Sequence, residues 1–341
     1  MTVTEPYSVD ESPPCRRVAM PEEAVLVTVE NFVRAETDMM FDSIVSDAGG
    51  TNRWTIRREP TPLDHQPIIR LNRDTLYSGI VVDVSQGATL TLPDAAGRYV
   101  SAMVVNQDHY IPLVLHEAGT YELTEAACGT PFVMVGVRIL VDPEDSADVA
   151  EVNRLQDLVA VTSVAGGGFH HETYDAASHA ETRGHVLALA KGLRSFAGAF
   201  GDRTETDTLH HLLGAAAGWG GLPEKEAIYL NVEPKLPAGD YAVTVRDVPV
   251  DAFWSISVYN ADGYFEPNDR HINTVNSVTA ERNPDGSTTV RFGTGDLPNT
   301  IPVTDGWNYL VRLYRPRPQA LDGSWSFPTV ADSELADGGA A

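Results

Sequence analysis

Short apolar, β-branched runs separated by Gly, Pro, Asp and Asn constrain the fold of this chain more than any other feature. In the first half they extend from IIRLNRDTLYSGIVVDV at 68–84 to PFVMVGVRILV at 131–141. They return from Tyr229 onward and end with NYLVRLYR at 308–315. Strands of this length with turn residues at short intervals are typical of antiparallel sandwiches and barrels. The pattern therefore predicts a mainly β fold with two β-domains.

Helical patterns precede and join the two β-regions. A helix is predicted from Pro21, because Pro followed by two Glu suits a helix N-terminus. Between the β-regions, 148–159 and 175–199 have helical patterns, and Asp207 suits the N-cap of a third helix. The predicted organisation is a leader at 1–20, a helix plus first β-domain at 21–147, a helical connector at 148–223, a second β-domain at 224–330 and a flexible tail at 331–341.

Charge and hydropathy exclude some classes of partner. The 341 residues include 24 Lys and Arg against 48 Asp and Glu, which gives a net charge of -24. Such a chain is unsuited to neutralising nucleic-acid phosphates or to docking on anionic lipid. The longest apolar run, 133–141, is broken by Arg138 and is far shorter than a membrane span. We expect a cytoplasmic protein with no nucleic-acid or membrane partner, a small-molecule ligand and, as a further possibility, a homo-oligomer.

Several segments resemble a known pair of families. They are RLNRDTLYS at 70–78, GDYAVTVRDVPVDAFWSISVYNADGYF at 239–265, the NPDGS turn at 283–287 and NYLVRLYRPRPQALDGSWSFP at 308–328. The first resembles the domain-of-unknown-function family 1254, and the others, in their order, resemble family 1214. The resemblance implies tandem jelly-roll-like β-sandwich domains and carries no activity over to this chain. Two departures are the absence of an export signal and of a Tyr near His271 in NDRHI.

The polar segment RLNRDTLYS supplies the first candidate site. If it is a strand, Arg70, Asn72 and Asp74 project from one face and Tyr77 from the other. Both faces are polar inside an apolar stretch, so these residues should form a hydrogen-bonded network or line a cavity. We expect Asp74 to be buried and paired with an arginine. A purely structural Arg–Asp pair is the alternative.

The segment NQDHY supplies the second candidate site, because it follows an apolar strand. Asn106, Asp108 and Tyr110 share one face if the strand continues, whereas His109 points away from them. A polar strand end commonly presents binding groups. A plain loop is the alternative.

The third candidate segment follows the strand FWSISVY in the second β-region. Trp254, with Ile256 and Val258, indicates the core face, and Tyr259 lies on the other face. Tyr259, Arg270 and His271 could together bind a carboxylate or stabilise an oxyanion. Ordinary turn chemistry is the alternative.

Four histidines between His170 and His185 raise the question of a metal. Glu181 and His185 are i,i+4 neighbours on a helix, but no known ligand spacing is present, so we predict no metal site here. The sequence also lacks the GxSxG, GxxxxGK[ST] and strand-following GxGxxG motifs. We therefore predict no cofactor.

The residues favour an enzyme acting on a small polar or anionic molecule between the two β-domains, most simply a cofactor-independent hydrolase. In this hypothesis Arg70 and Arg270 hold the anion, and Asp74 or Asp108 is the general base. Further predicted roles are catalysis by Tyr259 and His271, and substrate binding by Asn72, Tyr77, Asn106 and Tyr110. The alternative is a non-catalytic ligand-binding or oligomeric scaffold, whose polar strands only stabilise the fold.

Overall fold

The computed structural model describes residues 24–330 and is mainly β, as the sequence predicts. The predicted leader and tail, and the predicted helix start at Pro21, lie outside the described residues. No helix within 24–330 is long and apolar enough to cross a membrane.

Six helices and fifteen strands make up the part of the chain that the structure describes. The helices are α1 (Phe32–Ala48), α2 (Glu125–Cys128), α3 (Ser146–Leu158), α4 (Ala176–Ala190), α5 (Thr208–Ala217) and α6 (Pro318–Leu321). The strands of the first half are β1 (Trp54–Ile56), β2 (Thr75–Asp83), β3 (Ala88–Leu92), β4 (Val100–Asn106), β5 (Leu113–Leu115), β6 (Gly119–Leu123), β7 (Phe132–Leu140) and β8 (Ala160–Ser163). Those of the second half are β9 (Ala227–Val232), β10 (Tyr241–Val245), β11 (Trp254–Tyr259), β12 (Thr274–Asn276), β13 (Thr288–Phe292), β14 (Thr300–Ile301) and β15 (Asn308–Tyr314).

The first β-domain is built from two antiparallel sheets. One has the strand order β1-β2-β7-β4-β5 and the other β6-β3-β8. Alternate residues of β3 are buried, and they face a core that also takes Val149, Val152 and Leu155 from α3. Helix α3 and strand β8, which the sequence assigned to the connector, therefore pack with the first β-domain. Local periodicity shows that α3 has an apolar face, but it does not show which core that face packs against.

The second β-domain also pairs two sheets. Strands β12-β11-β15-β9 form one, and β10-β13-β14 form the other, in which β13 and β14 run parallel. The core between them contains Ile256 and Val311 from the first sheet and Val290 and Phe292 from the second. The NPDGS turn leads into β13, whose partner is β10; the preceding strand, β12, belongs to the other sheet.

The two β-domains bury a further layer between them. Every residue of β4, β11 and β15 is buried, so these strands are covered on both faces. Tyr99 packs against Phe253 and Tyr314, with ring centres 5.3 Å apart in both cases, and Phe253 stacks on Tyr314 at 4.2 Å. The face of β11 opposite Ile256 is therefore also interior, because the first β-domain covers it.

Helices α1, α4 and α5 pack against one another in a small apolar cluster of their own. Helix α1 begins at Phe32, later than the sequence indicates, because Val25 forms a β-bridge with Tyr174 instead. β-Branched residues at the start of this segment also favour extended backbone. Helix α5 begins after Asp207, whose carboxylate accepts from the Leu209 and His210 amides, as predicted.

Candidate functional site

Two rows of polar side chains face each other between the β-domains, and we call them together the interdomain layer. On the first sheet, Tyr77 and Ser101 lie directly across from Arg138 on its neighbouring strands. On the second, Ser255 and Tyr229 lie directly across from Arg312. Directly opposed residues share a face of their sheet. Each sheet therefore presents one arginine flanked by hydroxyl groups.

Arg312 belongs to a closed part of this layer. It is only 2% exposed, and its Nη1 donates to Ser257 Oγ at 2.7 Å. Its Nη2 donates to the Tyr259 hydroxyl at 2.8 Å and to the carbonyls of Arg70 and Leu71. The Tyr259 hydroxyl in turn donates to the Leu71 carbonyl at 2.7 Å. Both terminal nitrogens of the Arg312 guanidinium are therefore hydrogen-bonded within the protein.

Asp74 completes the closed part, and it is fully buried as expected. Its carboxylate accepts from Ser255 Oγ at 2.7 Å and from Thr274 Oγ1 at 3.2 Å, so its direct partners are hydroxyls and not the expected arginine. Arg312 acts on it through space: burial alone would lower the pKa of Arg312, but the nearby tyrosines and Asp74 raise it. Two hydroxyl groups of the second β-domain thus hold the Asp74 side chain in place.

The segment before β2 is not a strand, contrary to the geometry assumed from the sequence. β2 begins at Thr75, and Arg70 has a left-handed φ of 53°. Asn72 therefore turns toward the layer, where its amide donates to the Tyr77 hydroxyl at 3.0 Å and to the Tyr314 hydroxyl at 3.1 Å. Arg70, Asn72, Asp74, Tyr77 and Tyr259 come together at one interface.

Arg138 forms an open part of the layer. Its Nη2 donates to the Gly220 carbonyl at 3.0 Å, and its guanidinium lies 5.6 Å from the Tyr77 ring centre. Its Nη1 is buried without a hydrogen-bond partner among residues 24–330, as are the hydroxyls of Tyr99 and Ser101. These two hydroxyls are neighbours but do not have bonding geometry toward each other. Buried polar atoms are nearly always paired, so three such unpartnered atoms in one layer are unusual.

Burial and neighbouring side chains shift the pKa values of Arg138 and of the tyrosines around it. Burial alone would lower the pKa of Arg138, but the oxygens of Tyr77 and Tyr229, followed by those of Tyr99 and Tyr314, raise it. Burial raises the pKa of Tyr99, Tyr229 and Tyr314, and the nearby arginines offset only part of that effect. Arg138 therefore stays charged at neutral pH, and Tyr99, Tyr229 and Tyr314 stay protonated. All of these groups can donate hydrogen bonds.

A cavity of about 650 Å³ lies beside this open part, between the connector and strands β9 and β15. Tyr229 lines it and is also a neighbour of Arg138, and Arg70 lines it from the first β-domain. Arg138 itself is half-buried and is not among the residues that line this cavity. Cavities of this volume are typical of small-molecule sites.

The GWGG segment connects the cavity wall to Arg138. The Gly220 amide donates to His109 Nε2 at 3.0 Å, while the Gly220 carbonyl accepts from Arg138. A Cβ on Gly221 would lie 2.5 Å from the Phe200 ring, so only glycine allows that ring its position. The segment thereby fixes the position of the Arg138 side chain relative to the Phe200 ring in the cavity wall.

The NQDHY segment lies outside the interdomain layer. Asn106 Oδ1 accepts from the amides of Asp108 and Tyr110, which makes it the centre of a tight turn at the end of β4. The Asp108 carboxylate pairs with Arg34 of α1 at 2.6 Å, and the Tyr110 ring stacks on His211 of α5 at 4.5 Å. These contacts place the segment against the helices, because the turn reverses the chain away from the strand direction.

Arg270 and His271 also lie apart from the layer. Arg270 Nη1 donates to the Gly295 carbonyl, and the Arg270 amide donates to Asn268 Oδ1 at 3.2 Å. His271 is exposed and has a φ of 56°. Both belong to a turn that Asn268 organises within the second β-domain.

The histidines of 170–185 make pairwise contacts. His171 Nε2 lies 2.5 Å from Asp42 Oδ2, and His179 Nε2 lies 2.8 Å from Glu36 Oε2. Arg183 also contacts Glu36, at 2.9 Å. No group of three potential ligands that could hold a metal ion occurs within residues 24–330.

Sequence reasoning did not select the residues at the centre of the layer. These are Tyr99, Ser101, Arg138, Tyr229, Arg312 and Tyr314. A usable signal was present, since Arg138 and Arg312 are single charges inside otherwise apolar strands, FVMVGVRIL and NYLVRLY. A charge in a strand covered on both faces must have partners or a ligand.

Comparisons with known proteins agree with the two-domain organisation. Residues 51–111 match the family described as "Protein of unknown function (DUF1254)", and residues 233–318 match "Protein of unknown function (DUF1214)". No curated protein matches this chain significantly.

Solved structures are similar to the chain over most of its length. The crystal structure of the VPA0106 protein from Vibrio parahaemolyticus is 16% identical, with a TM-score of 0.70 over 88% of this chain and 96% of that one. An uncharacterised protein from Burkholderia cenocepacia is 15% identical, with a TM-score of 0.48 over 84% of each chain. The first likeness shows a shared fold.

Proposed function

For this two-domain protein, in which a DUF1254 region is followed by a DUF1214 region, we propose a function in binding a small anionic molecule between the β-domains. Arg138 holds the anionic group. The observation that carries the proposal is the buried, unpartnered Nη1 of Arg138 beside the equally unpartnered hydroxyls of Tyr99 and Ser101. Three donors around one positive charge suit an anion better than a neutral or cationic ligand.

The closed and open parts of the layer have different roles in this proposal. Arg312 binds the Leu71 carbonyl and Asp74 binds Ser255, so both join the two domains, as the scaffold alternative requires. Within residues 24–330 the Arg138 guanidinium has one hydrogen bond, to Gly220, and its Nη1 therefore has capacity for a ligand. The interdomain layer thus combines a closed, structural part with an open, binding part.

Anion-induced stabilisation tests the proposal. The intact protein is unfolded by heat in the presence of sulfate, phosphate, acetate or benzoate, for wild type, Arg138→Gln and the control Arg58→Gln. Arg58 is a surface arginine that pairs with Asp157. A bound anion at a hundred times its Kd stabilises the fold by about 2.7 kcal/mol. We expect this gain in wild type and the control and its loss in Arg138→Gln. An equal gain in folded Arg138→Gln would refute the proposal.

A cofactor-independent hydrolase is the second candidate, and the donor set around Arg138 is the observation that favours it. Protonated Tyr99 and Ser101 hydroxyls next to a fixed cation resemble the donors that stabilise an oxyanion. Asp108 pairs with Arg34 outside the layer, so Asp74 is the remaining carboxylate for a base. If chromogenic nitrophenyl esters are hydrolysed, Tyr99→Phe should lower kcat by roughly 10²-fold or more. An unchanged kcat would remove this candidate.

A further inference from the structure

The contact between His116 and Glu226 joins the two β-domains beside the interdomain layer. His116 follows β5 in the first β-domain, and Glu226 lies directly before β9 in the second. Their Nε2 and Oε2 atoms are 2.7 Å apart, and both side chains are largely buried, at 13% and 14% exposure. We infer that this pair is a proton-dependent latch, which holds the junction between the β-domains when it is protonated and weakens the junction when the proton leaves.

The partners of the His116 ring determine how many protons the pair must hold. Nδ1 lies 2.8 Å from the Val100 carbonyl, which can only accept, so Nδ1 carries a hydrogen. A neutral imidazole then presents a lone pair at Nε2, and the ionised Glu226 carboxylate opposite it can also only accept. The contact therefore needs one further proton, either on Nε2 or on the Glu226 carboxyl. When that proton leaves, two electron-rich atoms face each other and the contact must open.

The charged groups around the pair favour the further proton. Those nearby are Asp94, Arg98, Glu117, Asp251 and Arg315, which line a cavity of about 230 Å³ next to His116, and Glu224 and Lys225, which precede Glu226. Three of them have ion-pair partners elsewhere: Arg98 with Asp148, Asp251 with Arg317, and Lys225 with Glu205. Within residues 24–330 this leaves three acids and one arginine without an ion pair, namely Asp94, Glu117, Glu224 and Arg315. An excess of negative charge stabilises a protonated pair.

An uncharged neighbour completes the surroundings of His116. The ring centre of Tyr99 lies 5.8 Å from that of His116, and burial raises the pKa of Tyr99, so this tyrosine stays protonated. The pair is therefore the group at this junction that changes its charge when the pH rises from mildly acidic to mildly basic values.

The latch acts on main-chain contacts between the β-domains. The Glu226 carbonyl accepts from the Arg315 amide, which extends the ladder between β9 and β15. Val100, whose carbonyl binds His116, is the first residue of β4 and follows Tyr99, which packs against Phe253 of the second β-domain. Loss of the proton therefore loosens both the start of β9 and the aromatic contact of Tyr99.

Glu226→Gln separates the hydrogen bond from the proton. A glutamine amide donates to Nε2 of a neutral imidazole while Nδ1 still donates to Val100, so this variant keeps both hydrogen bonds without the further proton. Glu117→Gln, at the exposed acid next to His116, removes a carboxylate of the same size and is the matched control.

Two measurements on the intact protein test the latch between pH 6 and pH 9. Nuclear magnetic resonance of the His116 ring nitrogens and the Glu226 carboxyl carbon follows the proton. Hydrogen exchange of the Arg315 amide, relative to an unstructured peptide at the same pH, reports how often the junction opens. We expect wild type and Glu117→Gln to lose the proton and roughly 10-fold of the protection at Arg315, about the effect of one hydrogen bond to a charged group. Glu226→Gln should lose less than about 3-fold, since its contact needs no further proton.

Three results would overturn the latch. One is a wild-type pair whose protonation is the same at pH 6 and pH 9. Another is equal protection of the Arg315 amide at both pH values in wild type, which would show that the pair does not hold the junction. The third is a folded Glu226→Gln variant that loses as much protection as wild type, because the pH dependence would then come from another group.

Discussion

Replacing Arg312 with methionine removes the residue at the centre of the hydrogen bonds in the closed part of the interdomain layer. Arg312→Met keeps an unbranched side chain but deletes the bonds to Ser257, to Tyr259 and to the carbonyls of Arg70 and Leu71. It also removes the positive charge that acts on fully buried Asp74. We expect the protein to fold with a weakened junction between the β-domains.

The magnitude follows from which groups lose their partners. The Leu71 carbonyl keeps the Tyr259 hydroxyl, and Ser257 keeps Thr274 at 3.1 Å, so the losses concentrate on the Arg70 carbonyl and on the charge of Asp74. Leaving a buried hydrogen-bonding group without its partner costs about 1–3 kcal/mol, and more where a charge is involved. We expect Arg312→Met to lower the free energy of unfolding by that amount.

Urea unfolding followed by tryptophan fluorescence measures this loss, because Trp254 and Trp307 report on the core of the second β-domain. The surface control Arg58→Met should lower the free energy of unfolding by about 1 kcal/mol or less, since its ion pair is solvent-exposed. In the double variant with Asp74→Asn, the combined loss should be smaller than the sum by about 0.5–3 kcal/mol.

Two results would refute the reasoning. A loss below about 1 kcal/mol in Arg312→Met would mean that the network does not stabilise the fold, since even an exposed pair reaches that value. Strict additivity with Asp74→Asn would mean that the arginine and the buried carboxylate are not coupled, contrary to their electrostatic interaction.

Three further predictions concern Tyr259, His109 and the histidines of 170–185. Tyr259→Phe should lower the free energy of unfolding by about 1–3 kcal/mol, since Arg312 and the Leu71 carbonyl lose a buried partner. Urea unfolding measures this loss, and the control His271→Ala, at an exposed residue, should leave the free energy of unfolding nearly unchanged. Burial and neighbouring His211 lower the pKa of His109 from 6.5 to about 3. Between pH 6.5 and 3 only the unfolded chain binds a proton at His109, so the free energy of unfolding should fall by about 1.4 kcal/mol for each unit that the pH falls. Urea unfolding at pH 6.5 and 4.5 measures this dependence, and His109→Asn should make it weaker. The same pH dependence in His109→Asn and wild type would contradict the prediction. Elemental analysis of untagged protein should find no stoichiometric zinc or iron; metal lost on His179→Ala or His185→Ala would contradict this.

Local patterns were sufficient for many of the elements and for part of the chemistry. The strands around 75–83 and 308–314 follow from apolar runs bounded by turn residues, and Asp207 was recognisable as a helix cap from its position alone. The polar character of RLNRDTLYS correctly indicated a buried network that includes Asp74 and Asn72. These inferences concern the properties of single segments.

The tertiary structure alone decided which segments form a site. Asp74 and Ser255 are hydrogen-bonded across 181 residues of sequence, and Tyr259 reaches the Leu71 carbonyl across 188. Alternation along β11 shows that Ser255 and Tyr259 share a face, but a strand's sequence does not state whether solvent or another domain covers that face. The covering domain makes Arg138 and Arg312 interior charges, because burial, and with it the need for a partner or a ligand, is a property of the packed chain.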